Sequence, residues 1–366
     1  MSRGARRPGW RFRCSRRSSR TAKQFAEPGA RGAQFPGGRR GRIGPRAISS
    51  RSITMKWLRS FERSRFRTAK PVPTSAENTL VFLRSTQETE MSDARLEDDD
   101  YIIGTDAVEI ARLGQQHAIW RETALAGWRR AGLRPGMTVM DVGAGPGYAA
   151  FDLARLVGPQ GRVIAVDQAP AFLAALRDGA RQRGLSNIET IESDLADVDW
   201  PEAVCDAVWS RWCLSFVPNV PGVIAGIDRA LKPGGIFVAQ EYVDYRSFRI
   251  EPCEPVFERF IEAVRQSWLH FGGDPEIARR LPAILSNQGW ELGPMTPVIH
   301  AARPGDWIWS WPIAWLEQAP DRLVELGFLA PDDAEAFRLF LHARQQDPVS
   351  LMTTPMVLEV IAHKPA

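Results

Sequence analysis

Apolar and polar residues follow two rhythms along this chain, and the rhythm changes at turn residues. Between Asp106 and Arg130, the positions Val108, Ala111, Ile119, Ala124, Leu125 and Trp128 recur near the helical period. This predicts a helix, stopped by Arg134-Pro135-Gly136. Short apolar runs then predict strands over 138–142, 162–167, 188–191, 207–212 and 236–240, each bounded by turn residues. Helical patterns lie between them over 148–157, 169–183 and 220–231, with Gly184 closing the second of these. Strands interspersed with helices imply a parallel sheet covered on both faces.

Past Glu241 the rhythm changes. A long helix is predicted over 254–271, broken by Gly272-Gly273-Asp274-Pro275, and another over 277–288. A sixth strand follows over 290–299 and an apolar terminal strand over 356–362. Between them 306–347 reads as helical, with Pro312 and Pro331 as breaks or helix starts. No internal repeat is visible. The expected fold class is α/β: a doubly wound, Rossmann-like, mostly parallel sheet of seven strands, capped by 101–130 and 306–347.

The chemistry lies at the first strand–helix junction. Asp141-Val142-Gly143-Ala144-Gly145-Pro146-Gly147-Tyr148 follows an apolar strand and opens a helix, and the next strand ends in Asp167. Such a unit holds a nucleoside: glycines let a ligand approach the backbone, the helix start offers free N–H groups, and the second acid can accept from ribose hydroxyls. The spacing is G-x-G-x-G. Tyr148 stands where the last glycine of the dinucleotide fingerprint would fall. An acid two residues before the turn, Asp141, would repel a pyrophosphate but can pair with an ammonium group.

Asp141-x-Gly143-x-Gly145-x-Gly147 resembles motif I of the class I S-adenosylmethionine-dependent methyltransferases. Over 101–366 the chain resembles a branch of that superfamily acting on small molecules, in which the ubiquinone and menaquinone biosynthesis methyltransferases are the best-known members. Four further stretches carry the resemblance: Asp167-Gln168, Ser193-Asp194-Leu195, Asp206 through Arg211-Trp212, and Leu231-Lys232-Pro233-Gly234-Gly235. It implies S-adenosyl-L-methionine as cofactor, with Asp141 on its ammonium, Asp167 and Gln168 at the ribose, Asp194 and the Leu195 N–H at the adenine, and Arg211, with Trp212, next to where the methyl group sits. It says little about the acceptor, since substrate recognition lies outside these stretches.

Several residues carry competing readings. Asp167 could instead cap the helix that follows it. Trp212 could pack beside a sulfonium, whose charge an aromatic face attracts, or be a core indole. Trp307, Trp311 and Trp315 would share one face of a helix, and they read mainly as packing, with one or two rings facing an apolar acceptor pocket. No general base stands out; Glu241 and His117 are the candidates. Alignment alone supplies much of the rate for an activated methyl group.

Composition divides the chain. Residues 1–90 hold 22 Lys plus Arg against 5 Glu, whereas the remaining residues hold 25 basic and 38 acidic side chains (47 − 22 and 43 − 5), so +17 is followed by −13. An arm rich in Arg, Gly, Ser and Pro cannot offset its chain entropy and is expected to be disordered, with 91–366 as the folded domain. The arm reads as a nucleic-acid-binding segment, a transit peptide, or an upstream extension ahead of an ordinary start at Met91. Four cysteines without C-x-x-C spacing fit a reducing compartment, taken as the cytoplasm, or an organelle if the arm is a transit peptide. Five scattered histidines give no metal-ligand cluster.

These features point to methyl transfer onto a small, partly apolar molecule, without nucleic acid as partner. The rivals are an RNA or protein methyltransferase using the basic arm, an oxidoreductase on the same fold, and a non-catalytic cofactor-binding relative. An acidic body with a Trp-rich cap disfavours the first, and Tyr148 and Asp141 the second.

Overall fold

A computed structural model of the chain describes residues 107–366. The 1–90 arm, the start at Met91 and the first residues of the expected cap lie outside them. The first helix, α1 (Ala107–Arg130), leads into an alternation of strands and helices: β1 (Thr138–Val142), α2 (Tyr148–Val157), β2 (Arg162–Asp167), α3 (Pro170–Gln182), β3 (Ile188–Glu192), β4 (Cys205–Arg211), α4 (Val220–Ala230) and β5 (Leu231–Asp244). Then come β6 (Arg249–Glu251), α5 (Pro255–His270), α6 (Leu281–Asn287), β7 (Glu291–Val298), β8 (Ala301–Ala302), α7 (Ser310–Glu325), α8 (Pro331–Gln346), β9 (Leu351–Thr353) and β10 (Met356–His363).

Seven strands form one sheet in the order β3-β2-β1-β4-β5-β10-β7. Only β10 runs against the rest, pairing antiparallel with both neighbours through Val360↔Ala239 and Val360↔Met295. The central strands are apolar on both faces because both faces are covered. Ala124 and Trp128 of α1, Phe151 and Leu153 of α2, and Leu173 and Leu176 of α3 pack one face. Ile224 and Ile227 of α4, with Leu281 and Leu285 of α6, pack the other. At the edge, β7 carries Pro294 and Pro297, which remove donors from a strand that could otherwise recruit another chain.

The later part departs from the sequence reading in three places. The fifth strand runs from Leu231 to Asp244, so Glu241, Tyr242 and Asp244 belong to it instead of following it. The helix expected over 277–288 divides into a 3₁₀ turn at Ile277–Arg279 and the short α6, whose first turn holds Pro282. A second sheet, β6-β9-β8, was not anticipated. The 306–347 region is a 3₁₀ turn, Trp307–Trp309, followed by α7 and α8. Pro312 falls in the first turn of α7, where its missing N–H costs nothing, and Pro331 opens α8. These helices and α5 enclose a third cluster around Phe257, Phe260, Phe337 and Trp311, which caps the sheet. Among the described residues, no helix is long and apolar enough to cross a membrane.

Candidate functional site

The parallel strands deliver their carboxyl ends to one edge of the sheet, and the glycine turn follows β1 there. Gly143 has a left-handed φ of 73°, and an added Cβ would lie 2.5 Å from Cys213 Sγ, so the turn presses against the segment after β4. Gly145 also has positive φ, 55°, but a Cβ there would meet nothing within 4 Å. The two glycines differ in purpose: the first permits close packing, and the second leaves open space beside the backbone.

Asp167, at the end of β2, ties that turn down. Its Oδ2 accepts the Gly145 N–H at 2.7 Å and its Oδ1 accepts the Ala169 N–H at 2.9 Å. Burial raises its pKa, and these backbone donors pull it back. The N-cap position of α3 is Ala169, so the carboxylate braces the turn and does not cap the helix. Gln168 is exposed beside it. The end of β3 is bound to the same point, since Ser193 N–H donates to the Asp167 carbonyl at 3.0 Å. The following loop brings up Asp194, whose Oδ1 accepts from Ala196 N–H at 2.9 Å, and Leu195, both partly exposed.

Asp141 is buried, and its Oδ2 has no hydrogen-bond partner. Burial pushes its pKa up to about 7; Arg211 opposes the rise and Asp167 adds to it. Arg211, at the end of β4, has one guanidinium nitrogen, Nη1, buried without a partner. Burial lowers its pKa to about 10, against the attraction of Asp141. Its other terminal nitrogen, Nη2, lies 2.9 Å from His117 Nδ1 on α1. His117 Nε2 lies 3.0 Å from Asp152 Oδ2, and Arg121 grips the same carboxylate with two hydrogen bonds, 2.6 and 3.0 Å. Helix α1 is thereby fastened over the turn. Tyr148 adds a second tie, donating its hydroxyl to the Ile110 carbonyl at 3.0 Å beside Gly114, where any Cβ would strike the tyrosine ring.

Neither base candidate has a free acceptor facing the turn. His117 has both ring nitrogens engaged. The fully buried Glu241 accepts the Cys213 and Leu214 N–H groups and the Ser215 hydroxyl, each at 2.9 Å. Burial raises its pKa to about 7 despite those donors.

Beside Arg211, Trp212 adopts φ 49°, an uncommon left-handed conformation for a large residue. Its ring stacks on Tyr242 at 5.7 Å and on Trp311 at 5.6 Å, and meets Trp120 edge-on at 5.1 Å. The tryptophan tract therefore does not act as one stripe. Trp311 is buried and joins this cluster, Trp315 packs edge-on to Phe260, and Trp307, in the 3₁₀ turn before the helix, is 59% exposed. Asp206 lies at the opposite end of β4 from Arg211, where its carboxylate accepts from Thr138 N–H and Lys232 Nζ, both at 2.7 Å. Sequence reasoning missed Asp152 and Arg121. The available signal was Asp152 itself, a lone acid in the apolar stretch Phe151 to Ala154.

Residues 133–271 match the model of a methyltransferase domain family. The 2-phytyl-1,4-naphtoquinone methyltransferase of Synechococcus elongatus is 36% identical over 154 residues, 42% of this chain and 62% of that protein. The ubiquinone/menaquinone biosynthesis C-methyltransferase of Brucella anthropi is 31% identical over 34% of this chain and 48% of its own length. The matched region thus spans less than two thirds of either relative. A S-adenosylmethionine-dependent methyltransferase from Aquifex aeolicus has a structure similar over 52% of this chain and 92% of its own, at 20% identity and a TM-score of 0.41. Residues 133–271 thus carry a methyltransferase domain, with the glycine turn at the carboxyl end of β1 in the seven-stranded sheet.

Proposed function

We propose that the protein transfers a methyl group from S-adenosylmethionine to a small, partly apolar molecule. One observation carries this reading: at the glycine turn a buried carboxylate oxygen, Asp141 Oδ2, and a buried guanidinium nitrogen, Arg211 Nη1, both lack hydrogen-bond partners. Unpartnered buried charges are costly and persist where a ligand completes them. An acceptor and a donor at one turn match the ammonium and carboxylate of an amino acid tail. They do not match a pyrophosphate, which Asp141 would repel.

In this reading Asp141 accepts from the ammonium, Arg211 donates to the carboxylate, and the open space at Gly145 admits the tail. Asp167, with Gln168 beside it, accepts from the ribose, and Asp194 with the Leu195 N–H holds the adenine. When bound, S-adenosylmethionine supplies a methyl group already activated by its sulfonium. The chain then needs to align the acceptor and exclude water. Trp120, Trp212 and Trp311 form an apolar wall suited to both tasks. Glu241, wholly buried inside the 213–215 turn, and His117, with both ring nitrogens engaged, hold the site instead of taking a proton. Quinone methylation by the relatives named above supports an acceptor with a conjugated ring, and the acidic body supports a small molecule over nucleic acid. Free thiols at Cys205, Cys213 and Cys253 support a reducing compartment such as the cytoplasm.

Calorimetry of the full chain against S-adenosylhomocysteine, NAD and FAD tests the cofactor. Binding of the first alone is expected; preference for NAD or FAD would overturn the reading. Transfer of labelled methyl from S-adenosylmethionine to a panel of quinols, amines and RNA then tests the acceptor. Labelling of RNA alone would replace the small-molecule reading.

A further inference from the structure

We propose that His117 is a positioning residue that aims Arg211 at the carboxylate of the bound cofactor; this rests on the methyltransferase reading above. A guanidinium can only donate. At 2.9 Å from Arg211 Nη2, His117 Nδ1 must therefore be the bare, accepting nitrogen, and the ring proton sits on Nε2 and is donated to Asp152. Asp152 does not need a positive imidazole, because Arg121 already pairs with both its oxygens and Arg155 adds a contact at 3.2 Å. His117 is thus held neutral, as a fixed acceptor anchored at its far end.

That anchor settles the direction of Arg211. With Nη2 fixed on the imidazole, Nη1 is left without a partner on a guanidinium that attracts Asp141 electrostatically but does not pair with it. An arginine stem has many rotamers, and ordering it in advance removes an entropic cost that binding would otherwise bear. Because His117 belongs to α1 while Arg211 ends β4 and Asp152 lies on α2, the relay also fixes the covering helix relative to the turn.

The geometry fails if the imidazole is protonated. A second N–H would then point at the guanidinium, and two cations would share a buried site. The charged and titratable groups facing His117 are Asp152, Arg155 and Tyr148 from α2, Arg121 from its own helix, and Arg211 from β4, with Asp141 beyond. Burial lowers its pKa, Asp152 opposes that, and Arg211 reinforces it. The neutral form is therefore fully present above the ordinary imidazole range near pH 6.5 and is lost as pH falls below it. Cofactor affinity should follow the same course.

The test is S-adenosylhomocysteine calorimetry on the full chain and two variants between about pH 8 and pH 5.5, with folding followed by circular dichroism. His117→Asn replaces Nδ1 by an amide oxygen that accepts but does not titrate; His117→Ala removes the acceptor. Wild type should weaken as pH falls. His117→Ala should bind about tenfold more weakly at pH 8, about 1.4 kcal/mol. His117→Asn should stay within about threefold of wild type there and weaken less steeply than wild type toward pH 5.5, the remaining slope being the titration of Asp141 near pH 7. If His117→Ala fails to fold, His117→Asn alone decides. A His117→Asn variant with an unchanged pH profile, or a folded His117→Ala variant binding as tightly as wild type, overturns the proposal and leaves the methyltransferase reading standing. No wild-type binding at any pH removes that reading and this one with it.

Discussion

The carboxylate of Glu241, inside β5, accepts the backbone N–H of Cys213, just past the end of β4, at 2.9 Å. The same oxygen takes the Leu214 N–H, and the other takes the Ser215 hydroxyl. The turn that backs onto Gly143 is therefore folded around one buried side chain. Glu241→Ala should strand three donors, each costing about 1–3 kcal/mol, and should lower the melting temperature sharply. Glu241→Gln keeps an oxygen for the two N–H groups and an amide that can donate to the hydroxyl. It should keep most of the stability and most of the methyl transfer. Thermal melts with initial rates decide: a stable Glu241→Gln variant without activity would make Glu241 the base.

The contrast between two glycines is sharper. Gly143→Ala forces a Cβ against Cys213 at a positive φ, so stability should fall and cofactor affinity with it. The Cβ of Gly145→Val meets no protein atom within 4 Å, and the substitution carries the left-handed backbone cost of about 1–2 kcal/mol. It should fold, yet lose at least about tenfold in S-adenosylhomocysteine affinity by calorimetry. Undiminished affinity in folded Gly145→Val would remove the turn from the binding site.

Asp141 trades stability for binding. Its folded-state pKa of about 7 lies above the unfolded value of about 3.9, net of the pull of Arg211. Between those values the folded state holds the extra proton, so this contribution to stability is present below the unfolded pKa and is lost as pH rises through about 7. Asp141→Asn should melt higher than wild type at pH 8, by about 2–4 °C for each kcal/mol recovered, with the gain shrinking toward pH 5. It should also lose S-adenosylhomocysteine affinity. A variant that binds normally would show that the ammonium sits elsewhere.

Two tryptophans from one tract should behave oppositely. Trp311 is buried against Trp212 and Trp120, and its indole N–H donates to Gln116 at 3.0 Å. Trp311→Ala should cost about 3–5 kcal/mol. Trp307→Ala, at an exposed position, should stay within about 0.5 kcal/mol. Denaturant unfolding of both measures the difference; equal effects would mean that the exposed ring has a covering partner.

The first half of the sheet and the place of the candidate site could be read from local pattern. A central parallel strand is buried on both faces, so β1, β2 and β4 appear as short apolar runs bounded by turns, and the spacing of Gly143, Gly145 and Gly147 marks a turn through the backbone freedom of glycine. The β6-β9-β8 sheet was invisible because strands of two or three residues have no period to read, and their partners lie about 50 to 100 residues away. Which of the buried charges find partners depends on long-range packing. Asp141, Asp152 and Glu241 are all acids next to apolar residues in the sequence. One is matched by Arg121, one is filled by the 213–215 turn, and one retains an open oxygen beside Arg211. Those assignments depend on contacts between side chains up to 94 residues apart, such as His117 with Arg211, and hydrogen bonds at that range are set by packing and not by any local pattern.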